Sequence, residues 1–588
     1  MCGIFGYVGT KNNASDLVLE GLRILEYRGY DSWGIAQLVD GVISVTKKAG
    51  RIPDGDISFK ATTIALGHTR WATHGEVTDQ NAHPHLDCTQ KLAIIHNGII
   101  ENYDKIKVNL KKAGHKFLSE TDTEVAIHLI EKNIKAGNPF REAVRSAFNE
   151  FAGLNAIIVM DAASKTFVAA KTGSPLVVGR GKGKENLIAS DAPALINYTD
   201  TFHFVEDGEL LEITQDSIRA FDQKTGQEKN LHWQKVDWKF ASNDKGKYPH
   251  FMLKEIHEQP TIIETIVNQS IPSIEDLAET ILKSYGTYLV ACGTAAYAAL
   301  AGTYLFSKIA RRHVNYAVGS EFGYQLDFLK KGSLVIALSQ SGETIDVIDA
   351  IKKAKEKGAL VYALVNVLGS TLYRMADYKI LLMAGAEKAV ASTKAFTAKL
   401  AYLILLSYIL SSQKEKGKRV LQKALSSTNR LLQNEISNIK QIAQKLVNKK
   451  HIYVIGRGLA YPIALEAALK IKEVSYIHAE GMASGELKHG PIALVEKGTP
   501  CIAFLPDDET HGANLAGAME MSARGADIIG ISFQPHEIFD YFIRVDDARE
   551  ATIIPETVAA QLLAYYLAIE KGFDPDKPRN LAKSVVVK

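Results

Sequence analysis

The chain of 588 residues has only four cysteines, Cys2, Cys88, Cys292 and Cys501, and no two of them form a CxxC pair. Without that spacing the sequence gives no support for a zinc cluster or a dithiol redox motif, and no metal is expected. A dominant charge is also missing. Lys and Arg number 69 against 66 Asp and Glu, for a net charge of +3 with both signs interspersed. That balance argues against nucleic acid or a membrane surface as a partner. Residues 1–10 lack a basic segment followed by a long apolar one, so no secretory leader is read. The most apolar run, Leu400 to Leu410, is shorter than the roughly 20 residues that span a bilayer and reads as a core helix. No GxxxxGK[ST] loop is present, and Gly456-Arg457-Gly458 lacks the third glycine of a dinucleotide fingerprint. These absences together predict a cytoplasmic chain with reduced thiols.

What is present is ordinary globular composition, 46% hydrophobic and 23% charged. The length suggests about three or four domains. Up to about residue 230, short apolar runs such as Lys91–His96, Asn155–Met160 and Phe167–Ala170 predict strands. Helical periodicity over Ala14–Leu25, Thr123–Lys135 and Arg141–Phe151 completes an α+β layered region. Residues 235–250 are polar and aperiodic and read as a linker. Beyond them apolar strands alternate with long helices, the pattern of parallel sheets. A weak internal repeat joins Tyr288–Gly293 to Ile452–Gly458, each followed by an Ala-rich helix. Two similar α/β units therefore fit better than one large sheet.

Cys2 would become the first residue on removal of Met1. It would then carry a thiol, with pKa near ~8.5, and an α-amine, near ~8, on one residue. The thiolate is the nucleophile, and the amine can serve as its base directly or through one water. A buried, inert thiol is the competing reading. Downstream stand His68-Thr69-Arg70-Trp71-Ala72-Thr73-His74, then His96-Asn97-Gly98, then Ser119–Thr123. An amino-acid substrate needs a cation for its α-carboxylate and an anion for its α-ammonium, which Arg70 and Asp122 can supply. The Asn97 side chain and the Gly98 N–H suit an oxyanion hole, although Asn-Gly is equally a hairpin-turn signal. In the second half, Ser339-Gln340-Ser341-Gly342-Glu343-Thr344 joins an apolar strand to a helix. Its hydroxyls and N–H groups suit either an anion or local turn and capping chemistry.

The opening MCGIFG, the segment Leu25–Ser32 and the motifs above resemble class II glutamine amidotransferases over about residues 1–230. The second half resembles two tandem sugar-isomerase (SIS) domains. The matching segments are Cys292-Gly-Thr294, Ser339–Thr344, Val390–Thr397, Glu466–Glu473, Gly485–Pro491 and Arg579–Val585. In this order they resemble the glucosamine-6-phosphate synthase family, the isomerising glutamine–fructose-6-phosphate aminotransferases. The fold so implied is an α+β N-terminal-nucleophile glutaminase domain at 1–234 and, after the linker, α/β SIS domains at 251–425 and 426–573. A catalytic tail at 574–588 follows.

The resemblance also implies roles. Cys2 attacks glutamine, while Asn97 and Gly98 stabilise the oxyanion. Arg70, Thr73, His74 and Asp122 hold glutamine, and Trp71 gates an ammonia channel. Cys292, Thr294, Ser339, Gln340, Ser341, Thr344, Val390, Ser392 and Ala582 line the fructose 6-phosphate site. His489 opens the sugar ring, Glu473 moves a proton between C2 and C1, and Lys583 forms a Schiff base with the ketone. From the residues alone, Glu473 with Lys470 reads equally as a surface helical ion pair, and Lys583 as a solvated tail lysine. The implied chemistry uses no cofactor, and the family resemblance implies a homodimer.

Two residues depart from the pattern: Ala295, where a serine is usual beside the phosphate, and Trp33, where a small residue is usual. Other readings are disfavoured. The SGGxDS loop of an asparagine synthetase is absent, as is the acidic pair with Gly-Thr-Thr of a phosphoribosyl amidotransferase. A paralogue acting on a modified hexose phosphate and a non-catalytic sugar-phosphate sensor are the alternatives kept.

Overall fold

The computed structural model describes residues 2–53, 55–235 and 245–585. Most of the expected linker, residues 236–244, and the last tail residues, 586–588, lie outside them. Two compact units divide the chain, Met1–Lys239 with Ser584–Lys588, and Phe240–Lys583.

The first unit is built on an eight-stranded and a seven-stranded sheet. Their strand pairs are antiparallel. Strand residues alternate between two apolar surroundings, so these strands read as continuous hydrophobic runs. On Leu92–Gly98, Ala93 and Ile95 face the other sheet, while Leu92 and Ile94 pack with helices. The helices Tyr103–Lys112, Thr123–Lys135 and Phe140–Asn149 cover the seven-stranded sheet. The helix Ala14–Leu25 packs on the strands Gly3–Gly9 and Ile64–Arg70 of the other sheet. This is the layered α+β arrangement expected from the alternating patterns.

The second unit holds two five-stranded sheets, each wholly parallel among its described pairs. Numbered within each copy, the strand order is 2-1-3-4-5 in both. The internal repeat is therefore a repeat of topology. In this order the crevice lies beyond the carboxyl ends of strands 1 and 3, where the winding reverses. In the first copy those strands are Gly286–Ala291 and Ser333–Ser339. Cys292-Gly293-Thr294 and Ser339–Thr344 thus meet at one crevice. A shared core joins the copies through helices that are apolar on all sides, Lys394–Leu410 and Ile553–Glu570 among them. The segment Arg549–Glu570 is long and apolar enough to cross a bilayer, but 89% of its apolar window is buried in the protein, which marks a core helix.

Candidate active site

In the first unit, Gly3–Gly9 runs between Ile64–Arg70 and Glu185–Ala189, which places Cys2 beside the end of the Arg70 strand. Gly3 must be glycine, because a Cβ there would lie 2.6 Å from Thr69 Oγ1 and 2.8 Å from Leu25 Cβ. The Trp71 N–H donates to Cys2 Sγ at 3.2 Å, and the thiol faces the Trp71 carbonyl at 3.6 Å. The Cys2 carbonyl accepts from Asn97 Nδ2 at 3.1 Å and from Arg28 Nε at 3.2 Å. Asn97 Oδ1 is in turn held by His68 Nε2 at 3.2 Å. Burial pushes the Cys2 thiol up, opposed by the Trp71 N–H and by the Arg70 and Arg28 guanidiniums.

A narrow cleft opens over this group. Cys2, Arg70, Trp71, Thr73, His74, Gly98 and Asp122 line it, so all but Asn97 of the expected glutaminase residues share one cavity. Asn97 reaches it through the Cys2 carbonyl. The turn reading of Asn97-Gly98 fails, because both residues end a strand and pair with Ala156 and Asn155. Gly98 sits at φ +134°, and a Cβ there would lie 2.2 Å from the Leu154 carbonyl. Arg70 is buried and donates to the carbonyls of His74, Gly75 (3.2 Å) and Glu76 (3.3 Å), so it also shapes the loop after it. Asp122 accepts the Ile100 N–H at 2.8 Å. Sequence reasoning gave no role to Arg28, His68, His83 or His96. Trp33 is buried and lies opposite Thr69, whose hydroxyl accepts the Gly3 N–H at 3.1 Å.

At the crevice of the first α/β copy, the Ser339 hydroxyl accepts the Gly342 N–H at 2.9 Å and the Ser341 hydroxyl the Glu343 N–H at 3.1 Å. Turn chemistry is therefore present. No side-chain cap closes the following helix Ile345–Glu356 at Thr344. Gly342 is at φ +68°, and a Cβ there would fall 2.0 Å from Ser370 Oγ. Thr294 Oγ1 donates to Glu466 Oε1 at 3.3 Å, tying this crevice to the helix Ala460–Ser475 of the second copy. There Lys470 pairs with Glu473 and, at 3.5 Å, with Glu466. Lys470 is fully buried, so the pair is not a surface one. Burial raises Glu466 to about 8.

Lys583 is not a solvated tail lysine. Its side chain is 4% exposed. Nζ donates to Glu387 Oε2 at 2.6 Å and to the Ala389 carbonyl at 2.7 Å. Ser392 Oγ donates to the same Glu387 oxygen at 3.0 Å, while the Thr393 and Ala395 N–H groups fill the other. Burial would raise Glu387, but Lys583 and these N–H groups hold it down at about 2. The tail is seated by Asp576, whose carboxylate accepts the Phe251 and Met252 N–H groups at 2.8 Å and whose carbonyl accepts Val390 N–H at 3.0 Å. The buried Glu255, raised to about 8 by burial and by Glu387, and Lys399, lowered to about 8 by burial, stand near this pair. Neither was singled out from sequence. His489 is exposed at the end of the 3-10 turn Ser484–His489.

A thiol held in a polar cleft beside an Asn and a Gly, on a chain with two parallel-sheet sugar-isomerase-type folds, defines a glutamine amidotransferase joined to SIS domains. The glutamine amidotransferase domain profile matches residues 40–230, and the SIS domain profile matches 281–407 and 445–571. The glutamine–fructose-6-phosphate aminotransferase [isomerizing] of Pyrococcus horikoshii is 43% identical over 606 residues, covering 100% of both chains. That of Clostridium tetani is 42% identical over 619 residues, again covering 100% of both. The C-terminal domain of glucosamine-fructose-6-phosphate aminotransferase from Francisella tularensis superposes with a TM-score of 0.53 at 34% identity, covering 57% of this chain and 100% of that one. The chain belongs to the glutamine–fructose-6-phosphate aminotransferase (isomerising) family.

Proposed function

We propose that this chain transfers the amide nitrogen of glutamine to fructose 6-phosphate, giving glucosamine 6-phosphate and glutamate. Cys2 Sγ attacks the glutamine amide carbon, and ammonia leaves from the tetrahedral intermediate. The γ-glutamyl thioester that remains is hydrolysed to glutamate. Asn97 Nδ2 and the Gly98 N–H stabilise the oxyanion. Arg70 and Asp122 take the α-carboxylate and α-ammonium of glutamine, with Thr73 and His74 beside them. Trp71, whose backbone brackets the thiol, guards the exit of ammonia, which water would protonate and dilute.

At the crevice of the first α/β copy, Ser339, Gln340, Ser341 and Thr344 take the sugar phosphate, with Cys292 and Thr294 alongside. Val390, Ser392 and Ala582 border the sugar. Lys583 forms the Schiff base with the C2 ketone and yields to ammonia. Glu473 then carries the C1 proton to C2, which converts the ketose imine to the amino aldose. His489 opens the sugar ring by accepting and returning a proton as general acid–base.

The observation that carries this reading is the buried, hydrogen-bonded Lys583 amine on a chain that also presents Cys2 in a polar cleft. The test incubates the protein with glutamine and a panel of keto-hexose phosphates. Glucosamine 6-phosphate and glutamate in equal amounts from fructose 6-phosphate are expected. Activity only on a modified hexose phosphate would favour the paralogue, and no turnover at all a sensor. A cytoplasmic homodimer belongs to the same proposal. The four unpaired thiols support a reducing compartment, and sedimentation of the full chain tests the dimer.

A further inference from the structure

The first unit brings together four potential metal ligands that no role in glutamine chemistry requires: Cys88, His115, His128 and Glu131. They come from separate segments. Cys88 lies in the turn before the strand Leu92–Gly98, His115 in the loop before the helix Thr123–Lys135, and His128 and Glu131 on that helix. This scatter is why no spacing motif revealed them. One ligand atom from each lies within 4.8 Å of all the others. Cys88 Sγ is 3.6 Å from His128 Nδ1 and 3.9 Å from His115 Nδ1. Glu131 Oε2 is 3.1 Å from His115 Nδ1 and 3.3 Å from His128 Nδ1. A tetrahedron with zinc bonds of roughly 2.0–2.3 Å has edges of roughly 3.3–3.8 Å, so these separations are near those of a site collapsed around its centre.

Two further features fit a metal. The far nitrogen of His128, Nε2, faces Glu124 Oε1 at 3.5 Å, the outer carboxylate that commonly orients a ligating histidine. The turn that presents Cys88 is also fixed, because Asp87 accepts the N–H groups of Thr89, Lys91 and Leu92. We propose that Cys88, His115, His128 and Glu131 bind one zinc ion in a closed, structural site. A thiolate with two imidazoles selects a borderline-soft ion over magnesium or calcium. Four protein ligands leave no open position for hydrolytic chemistry. The ion clamps the start of the strand that ends in Asn97-Gly98 to the helix that begins just after Asp122, so it braces the glutamine cleft from behind.

The test uses the untagged full-length protein purified without chelator. Elemental analysis should give about one zinc per chain, and Cys88→Ser and His115→Ala should each reduce it more than ten-fold. Cobalt titration of the chelator-stripped protein in a Cys2→Ala background should give intense tetrahedral d–d bands and a thiolate-to-cobalt charge-transfer band, both lost with Cys88→Ser. Chelation should lower the melting midpoint of the parent by several degrees and leave that of Cys88→Ser, which would hold no ion, unmoved. Protein that holds less than a tenth of an equivalent of zinc and gives no cobalt bands carries only a hydrogen-bonded cluster, which would overturn the proposal.

Discussion

Lys583 can be tested by separating its charge from its nucleophilicity. Lys583→Arg keeps a cation for Glu387 but removes the amine, whereas Lys583→Met removes both. Coulomb's law at the 2.6 Å contact gives roughly 6 kcal/mol of gross attraction at an effective dielectric of about 20. Desolvation of both groups opposes that figure. The fall of Glu387 from 4.5 to about 2 corresponds to roughly 3 kcal/mol. This agrees with the roughly 3–5 kcal/mol cost of leaving one partner of a buried pair alone. Lys583→Met should therefore lower the melting midpoint of the α/β half by roughly 6–12 °C, at roughly 2–4 °C per kcal/mol, and Lys583→Arg by much less. Because Glu387 is depressed on folding, this contribution is present at neutral pH and fades as pH falls from 4.5 toward 2. Borohydride with fructose 6-phosphate should trap an adduct at Lys583 in the parent and none in either variant, while glutamine hydrolysis persists. The competitor is Lys399, a buried amine lowered to about 8. An adduct mapped by mass spectrometry to Lys399, or trapping that survives Lys583→Arg, would refute the assignment.

Other expectations concern single sites. Cys2→Ala should abolish glutamine hydrolysis and spare sugar-phosphate binding by calorimetry, and a chain that retains Met1 should be equally inactive. Full glutaminase activity in Met1-retaining protein would exclude the α-amine as base. Ala295→Ser adds a hydroxyl in the first turn of the helix Thr294–Leu305, and a hydrogen bond to an ionised phosphate is worth about 1.5–3 kcal/mol. KM for fructose 6-phosphate should fall roughly ten-fold or more with kcat unchanged, and an unaltered KM would remove Ala295 from the phosphate site. Glu556 is fully buried, neither carboxylate oxygen has a hydrogen-bond partner among the described residues, and burial pushes its pKa well up. Its cost to stability is absent below the ordinary carboxylate range and grows as pH rises above it. Glu556→Gln should raise the melting midpoint more at pH 8 than at pH 4, and an equal shift at both would contradict that sign.

What was legible in the sequence was local or ordered along it. The helices Ala14–Leu25 and Thr123–Lys135 have the ends expected from their apolar period, and Asn155–Met160 lies within the strand Asn155–Asp161. That Cys2, Arg70, Gly98 and Asp122 share one cleft was readable because the motifs carrying them stand at or beside the ends of a few strands. Burial was not readable, because it depends on what folds back from elsewhere. Lys583 looks like a surface lysine until Asp576 seats the tail on the helix Phe251–Gln269 and Glu387 meets the amine. Lys470 looks like half of an exposed i,i+3 pair until its helix packs into the core shared by the two copies. Glu387 and Glu255 carried no signal, since one buried acid in a loop or helix has no period to betray it.

The two copies share one topology but not one chemistry, and their switch points show why. After strands 1 and 3 the first copy presents Cys292-Gly293-Thr294 and Ser339–Thr344, loops of hydroxyl groups and N–H donors. After its strands His451–Gly456 and Pro500–Leu505 the second presents Arg457-Gly458 and Pro506-Asp507-Asp508. Asp508 accepts the Thr510 N–H at 2.8 Å and its hydroxyl at 2.6 Å, so the place of the first copy's hydroxyl donors is taken by acids. Two adjacent carboxylates repel an anion, so on the proposed reading only the first copy's loop suits a sugar phosphate. The second copy instead sends a helix to its neighbour: Glu466 reaches Thr294 at 3.3 Å, and Lys470 and Glu473 follow on the same helix. On the function proposed above, the first copy would keep the loops for the sugar phosphate while the second, whose helix carries Glu466, Lys470 and Glu473, would bring acid and base groups to the same crevice.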